Sequence, residues 1–216
     1  MHPLMPSLRQ GLNDLGLDLE ESTRDRLLAY LDLIAKWTRV YNLTAVRDAQ
    51  EMLSHHLLDS LAVIAPLRRE MANLQRAVDS RSLLDVGSGA GLPGVVIAIV
   101  CPEVQVTCVD TVAKKAAFIQ QVAVSLKLPN LKGLHARVES LTQPFDVICS
   151  RAFASLLDFT HWSRSALAED GIWLAMKGKH PEQELQVLPK DVKVFHVEPL
   201  NVPSLGAERC IVWMRG

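Results

Sequence analysis

Ten residues constrain this chain more than any others: Asp85-Val-Gly-Ser-Gly-Ala-Gly-Leu-Pro-Gly94. A short apolar run, Ser82 to Val86, leads into them, and a second apolar stretch, to Val100, follows. Strand, glycine turn and helix in that order are the opening of a ligand-binding α/β unit. The glycines have a physical task there. The backbone must turn tightly and let a ligand approach without meeting a side chain. Amides at the start of the following helix then face that ligand. Spacing discriminates further. A dinucleotide turn, G-x-G-x-x-G, would want glycine at position 92, which is Leu92; the glycines fall instead at 87, 89 and 91.

The hydrophobic pattern changes near residue 80. Upstream, Leu27, Leu28, Leu31, Ile34 and Ala35 recur at three- and four-residue steps and predict a helix with Ser22 as its N-cap. A second helix is expected over residues 49–64, ended by Pro66, and a third, polar one over 68–78. No strand pattern precedes Ser82. Downstream, strands are expected over 82–86, 104–109, 131–136, 145–149, 172–176, 192–197 and 210–214. Helices are expected over 92–100, 112–126 and 155–167, with a short one from about Pro181. Such alternation implies a mostly parallel, doubly wound sheet. The last two strands have no helix between them, so an antiparallel hairpin is expected. Glycines at 87, 89 and 91 and a reversed last strand both mark the methyltransferase variant of the Rossmann plan. The expectation is an α/β protein with a Rossmann-like class I methyltransferase sheet over residues 81–216. A helical extension, residues 1–80, would pack on that core as part of one compact unit.

Composition narrows the alternatives. The 216 residues, 49% hydrophobic and 22% charged, suffice for one globular domain with a sizeable core. A formal net charge of -1 excludes a uniformly basic nucleic-acid binder but leaves a local basic face open. Cys101, Cys108, Cys149 and Cys210 form no CxxC pair and no cluster with zinc spacing, so no metal is expected. Free thiols suit a reducing cytosol. The N-terminus lacks the pattern of a signal peptide, and the longest apolar stretch, Val95 to Cys101, is too short to span a bilayer. A cytoplasmic protein without membrane contact is expected. With no heptad to demand a dimer, monomer is the default.

In open α/β sheets, ligands sit beyond the carboxyl ends of the strands. Gly87, Gly89 and Leu92 follow the first strand. Asp110 ends the second, where a carboxylate can accept both ribose hydroxyls of an adenosyl group. S-adenosyl-L-methionine is the cofactor this pattern points to, with S-adenosyl-L-homocysteine as product. Asp85 either orients the turn or faces the methionine amino group. Arg151 follows the fourth strand and Lys177 and Lys179 the fifth, forming a phosphate-contacting rim that His180 can join. The competing reading is that such lysines are simply solvated. Missing motifs count too. After the fourth strand stands Ser-Arg-Ala-Phe, not the Asn/Asp-Pro-Pro-aromatic motif used on exocyclic amines, and Cys149 lacks the proline that precedes a carbon-methylating nucleophile. An acceptor with a free lone pair, such as guanine N7, needs only in-line positioning and no general base.

Gly87-Ser-Gly-Ala-Gly-Leu-Pro-Gly94, Ser150-Arg-Ala-Phe-Ala-Ser155, Tyr41-Asn-Leu-Thr-Ala-Val-Arg47 and His55-His-Leu-Leu-Asp-Ser60 together resemble one family. It is the bacterial 16S ribosomal RNA guanine-N7 methyltransferases, the RsmG or glucose-inhibited division protein B family. The resemblance implies methyl transfer to N7 of a guanine in the 530 loop of 16S rRNA. It also implies cofactor contacts at Gly87, Leu92, Val138, Glu139 and Arg151, with Arg151 serving cofactor and RNA together. Asn42, Thr44, Arg47, His55, His56 and Asp59 would line the acceptor side. Each has a plain structural alternative: Asn42 and Thr44 as helix caps, Asp59 as a histidine partner. Trp37 and Tyr41, four apart, either stack on a base or pack in the core. The acceptor expected is a small ribosomal subunit or late precursor rather than naked rRNA. A small-molecule methyltransferase, a nicotinamide-dependent oxidoreductase and a non-catalytic RNA-binding assembly factor are the competing functions.

Overall fold

The structure, a computed structural model, describes residues 2–74 and 81–216. Its centre is a seven-stranded sheet: β1 (Ser82–Val86), β2 (Gln105–Asp110), β3 (Leu131–His135), β4 (Phe145–Arg151), β5 (Leu167–Lys177), β6 (Lys193–Leu200) and β7 (Arg209–Arg215). The spatial order is β3-β2-β1-β4-β5-β7-β6. The first five strands are parallel, and β7 runs antiparallel to both β5 and β6. The hairpin expected at the end of the chain therefore forms, but its second strand inserts between β5 and β6. That leaves β6 at the edge.

Helices cover both faces. On one lie α1 (Met5–Asp14), α2 (Glu21–Tyr41), α3 (Ala49–Met52), α4 (Asp59–Leu61), α5 (Ile64–Asn73), α6 (Gly94–Val100) and α7 (Ala113–Ser125). Their apolar residues share a core with Leu83, Cys149, Met176 and Ile211 of the sheet. On the other lie α8 (Leu156–Ser163) and two 3-10 turns, Val138–Ser140 and Arg164–Ala166, packed against Leu84, Ile148, Trp173 and Val212. Alternation along each strand explains the division, since neighbouring side chains point to opposite faces. A short helix, α9 (Glu182–Gln186), follows β5 with no buried residue of its own.

The N-terminal layer is firmly attached. Leu27, Leu28, Tyr30, Leu31 and Ile34 are each at most 3% exposed. At about 2 kcal/mol per large apolar side chain, that stripe alone contributes on the order of 10 kcal/mol of transfer free energy.

Several local readings need correction. Glu20 occupies the N-cap of α2 and Ser22 lies inside the helix. The helix over 49–64 is interrupted: after α3, residues Leu53–Leu58 form a π-helical segment, and α5 starts at Ile64. Pro66 opens that helix rather than ending its predecessor, because in a first turn no intrahelical amide bond is lost. The polar helix expected over 68–78 is the remainder of α5 as far as Asn73; residues 75–78 lie outside the described residues. α6 begins at Gly94, with Pro93 as its N-cap. The α1 helix adds to the expected set; Leu4, Leu8 and Leu12 are all buried at four-residue spacing. Leu167 starts β5 instead of ending the preceding helix.

Candidate functional site

The glycine turn leaves β1 with Gly87, Gly89 and Gly91 at φ of 65, 59 and 90°, all left-handed. The turn is held from below and behind. Asp110, at the end of β2, accepts from the Gly89 amide through Oδ2 (3.0 Å) and from the Val112 amide through Oδ1 (2.8 Å). The Tyr30 hydroxyl of α2 donates to the carbonyl of Ala90 at 2.6 Å. Asp85 Oδ2 accepts from the Gly94 amide at 2.8 Å, so this carboxyl orients the turn from beneath. Burial pushes the Asp85 carboxyl up to about 7. A Cβ on Gly94 would stand 2.7 Å from Asp85 Oδ2, whereas one on Gly89 would meet nothing closer than 4.0 Å. Gly89 therefore opens onto free space.

That space is two cavities meeting at the turn, since Gly87, Lys115 and Ala152 line both. The first, about 580 Å³, is bounded by Gly87, Gly89 and Leu92 on one side and by Thr44, His56 and Asp59 on the other. Arg151, Lys177 and Arg209 complete its wall. The second, about 330 Å³, is bounded by Asp110, Val138, Glu139, Phe153 and Trp162. Val138 is buried, and the exposed Glu139 sits 3.3 Å from Arg137 Nη2. Thus Gly87, Gly89, Leu92, Asp110, Val138 and Glu139 line one continuous trough over β1, β2 and β3.

The N-terminal layer closes the first cavity. Asp59, 1% exposed, accepts from Arg151 Nη1 at 2.6 Å and from Arg209 Nε at 2.8 Å. Arg151 Nη1 also donates to the His55 carbonyl at 2.8 Å. The sheet register sets this up. Arg151 stands beside Met176, Met176 beside Ile211, and Arg209 is two residues from Ile211. All four therefore share a face. The π-helical segment supplies the His55 carbonyl, and α4, which follows it directly, supplies Asp59; π-helical turns concentrate at functional sites. Asp59 thus pairs with two arginines, not with a histidine.

His56 Nε2 lies 2.9 Å from Thr44 Oγ1. Burial, reinforced by the Arg151 charge, lowers the imidazole to about 4, so it is neutral at physiological pH. Lys177 Nζ is engaged by both Glu184 oxygens (3.0 and 2.8 Å) and by the Ala154 carbonyl. Of the expected rim, Arg151 and Lys177 reach the cavity, while Lys179 and His180 are exposed and do not line it. Asn42 is outside it as well: it is the left-handed C-cap of α2 and accepts from Arg47 Nη2 at 2.7 Å. Cys149 is fully buried, and burial raises its thiol well above the usual range, which suits an inert side chain. Among the described residues no group of acidic, histidine or cysteine side chains could hold a metal ion, and no helix is long and apolar enough to cross a membrane.

Arg209 was missed by inspection of strand carboxyl ends. Because β7 is reversed, its amino end lies at that edge of the sheet, and a reversed last strand was itself legible in the sequence. Lys115, 3.6 Å from Asp110, was missed too; it lies in the first turn of α7.

A sheet ordered 3-2-1-4-5-7-6 with a glycine turn at the end of its first strand defines the S-adenosyl-L-methionine-dependent methyltransferase fold of class I. Solved structures agree at the level of fold. TrmN from Thermus thermophilus superposes with a TM-score of 0.57 at 16% identity, covering 76% of this chain and 53% of that one. Coclaurine N-methyltransferase, solved with N-methylheliamine and S-adenosyl-L-homocysteine, gives 0.58 at 11% identity, covering 99% and 94%. Residues 23–212 match the family model for rRNA small subunit methyltransferase G. A ribosomal RNA small subunit methyltransferase G from Polaromonas sp. strain JS666 is 68% identical over 208 residues, 96% of this chain and 92% of its own. One from Acidovorax sp. strain JS42 is 66% identical over 214 residues, covering 97% and 94%. The chain belongs to the rRNA small subunit methyltransferase G family and is an S-adenosyl-L-methionine-dependent methyltransferase.

Proposed function

We propose that this protein transfers a methyl group from S-adenosyl-L-methionine to N7 of a guanine in the 530 loop of 16S rRNA. The acceptor in this reading is the small ribosomal subunit or a late precursor, met in the cytoplasm by a monomer. Residues 1–80 act as a helical extension that completes the acceptor side of the cofactor domain, 81–216.

The residues over β1 to β3 fit the cofactor. Gly89 is open where a ligand would press, and Asp110 and Glu139 lie along the trough beside Val138. Gly87, Gly89, Leu92, Asp110, Val138 and Glu139 would hold it, with Arg151 shared between cofactor and RNA. When bound, S-adenosyl-L-methionine supplies an electrophilic sulfonium methyl. Thr44, His56, Arg151 and Lys177 face the acceptor side; Asn42 and Lys179 lie outside the cavity wall.

The observation that carries the reading is the charge of the acceptor wall. Asp59, the buried carboxylate in that wall among the described residues, is taken by two arginines, leaving a net positive surface, and His56 is a weak base at about 4. Guanine N7 already offers a lone pair, so catalysis reduces to alignment against the methyl. An exocyclic amine would have to lose a proton, and a small apolar acceptor would gain nothing from Arg151 and Arg209.

The test is transfer of radiolabelled methyl to small ribosomal subunits from cells lacking this protein, with the product mapped by N7-specific strand cleavage. Label confined to one guanine of the 530 loop supports the proposal. Label elsewhere, or efficient methylation of protein-free rRNA, overturns it in site or in acceptor.

A further inference from the structure

Beside the first cavity the chain presents an aromatic surface that neither the cofactor trough nor the core absorbs. Tyr41, the last residue of α2, is 41% exposed, and the preceding Val40 is 70% exposed. The Tyr41 ring is nevertheless braced. Its centroid lies 5.0 Å from Trp37, and Trp37 lies 5.2 Å from the fully buried Phe118 of α7. Three rings thus run from core to surface, each supporting the next. An exposed tyrosine on a flexible loop would lose entropy on binding; this one is already positioned.

Its location is set by helix direction. α7 starts at the carboxyl end of β2, so its first turn lies on the cavity side. α2 ends on that side, because Leu43, Thr44 and Val46 line the cavity. The two helices therefore run in opposite directions where Trp37 meets Phe118. One turn nearer the cavity than this contact, α2 carries Tyr41 and α7 carries Lys114 and Lys115. Lys115 is itself in the cavity wall. Lys114 is exposed and makes no ion pair among the described residues. Arg47 is fixed at the C-terminus of α2 by bonds to the Thr38 carbonyl (3.1 Å) and Asn42 Oδ1 (2.7 Å).

A rigid aromatic ring flanked by fixed and free cations is the arrangement that takes an unpaired nucleotide: the ring stacks on the base and the cations meet phosphates. We propose that Tyr41, braced by Trp37, stacks on an unpaired base of the RNA acceptor neighbouring the methylated nucleotide, with Arg47 and Lys114 as phosphate contacts. This inference rests on the reading of the acceptor as RNA. Charge selects that occupant, since an apolar peptide face would gain nothing from Arg47 and Lys114. Tyr41 is here a binding residue, with no part in the methyl transfer itself.

The experiment is steady-state methylation of small ribosomal subunits lacking the modification, with cofactor affinity measured separately by calorimetry. Tyr41→Leu keeps apolar bulk and removes the stacking face. It should raise KM for subunits by about 5- to 100-fold, with the Kd for S-adenosyl-L-methionine unchanged. Tyr41→Phe keeps the ring and should restore most of the acceptor affinity. Lys114→Gln, at a surface position that folding does not depend on, should raise KM and lower the salt dependence by about one released counterion. A native KM in Tyr41→Leu, or a Tyr41→Phe as impaired as Tyr41→Leu, overturns the platform. So does weakened cofactor binding, which would move Tyr41 to the other subsite. If Tyr41→Leu fails to fold, an unaltered KM and salt slope in Lys114→Gln decides against the platform. Failure of the native protein to methylate subunits at all would instead count against the RNA reading.

Discussion

Asp59 Oδ2 and Arg151 Nη1 stand 2.6 Å apart and tie the N-terminal helical layer to the end of β4. The carboxylate is 2% exposed and the guanidinium 20%. Arg209, from β7, occupies the other oxygen at 2.8 Å. One acid thus sets two cations in the cavity wall. Asp59→Asn leaves those guanidinium groups facing each other across a neutral amide. Breaking a buried pair of this kind costs about 3 kcal/mol. Urea unfolding should report that loss, and methyl transfer should fall more than about tenfold as Arg151 loses its position. Native stability in the variant would show that Asp59 anchors nothing.

Glycines at 89 and 94 separate binding from folding. Gly89 has space for a Cβ but a φ of 59°, so Gly89→Ala strains the backbone by about 1 kcal/mol and projects a methyl into the trough. Cofactor affinity should fall at least tenfold while the protein stays folded. In Gly94→Ala the methyl meets Cys108 Sγ at 2.5 Å and Asp85 at 2.7 Å, so the principal loss should be thermal stability. Calorimetric titration and melting curves for the pair check this; equal effects of both on cofactor binding would refute it.

His56 gives stability a pH dependence with a definite sign. Its folded value is lowered to about 4 from 6.5, so the unfolded chain binds the proton more readily. The stability it contributes is present above about 6.5 and is lost as pH falls through 4. Asp85 works in the opposite sense. Its carboxyl is raised from 3.8 to about 7, so its share is present at low pH and lost as pH rises through 7. Native protein and His56→Gln, unfolded in urea between pH 7 and 4, should differ in slope: the variant should lose less stability on acidification. Parallel curves would mean that His56 is not the group responsible.

Glu184 restrains Lys177. It accepts from Lys177 Nζ through both oxygens and from the Leu156 amide at 2.6 Å. Glu184 is 33% exposed, so stability should change by no more than about 1 kcal/mol in Glu184→Gln. The freed ammonium should tighten binding of an anionic acceptor, most visibly at low salt. The check is KM for ribosomal subunits against ionic strength. An unchanged KM at low salt would show that Lys177 does not face the acceptor.

Much of this protein was legible in its sequence because the signals are local. The glycine spacing at 87, 89 and 91, the acid at 110 and the alternation of strand and helix after residue 80 depend only on short-range geometry. Those same segments form the trough. The family resemblance of the Tyr41–Arg47 and His55–Ser60 segments was legible as pattern, though not as geometry. Local reading failed where competing local rules had to be arbitrated by packing. Pro66 could stop one helix or start another, and burial of Ile64 and Leu67 decided for the start.

What the sequence determined by itself was the class of sheet, the turn that opens onto the trough, and the acid beside it. Each follows from periodicity and backbone sterics within a few residues. What only the tertiary structure decided was the charged wall of the first cavity. Asp59 and Arg209 are 150 residues apart along the chain, and they meet because β7 inserts in reverse between β5 and β6. The fates of Lys177, drawn off by Glu184, and of Lys179, left in solvent, were decided the same way. Charge pairing depends on distance in space, and spacing along the chain does not contain it.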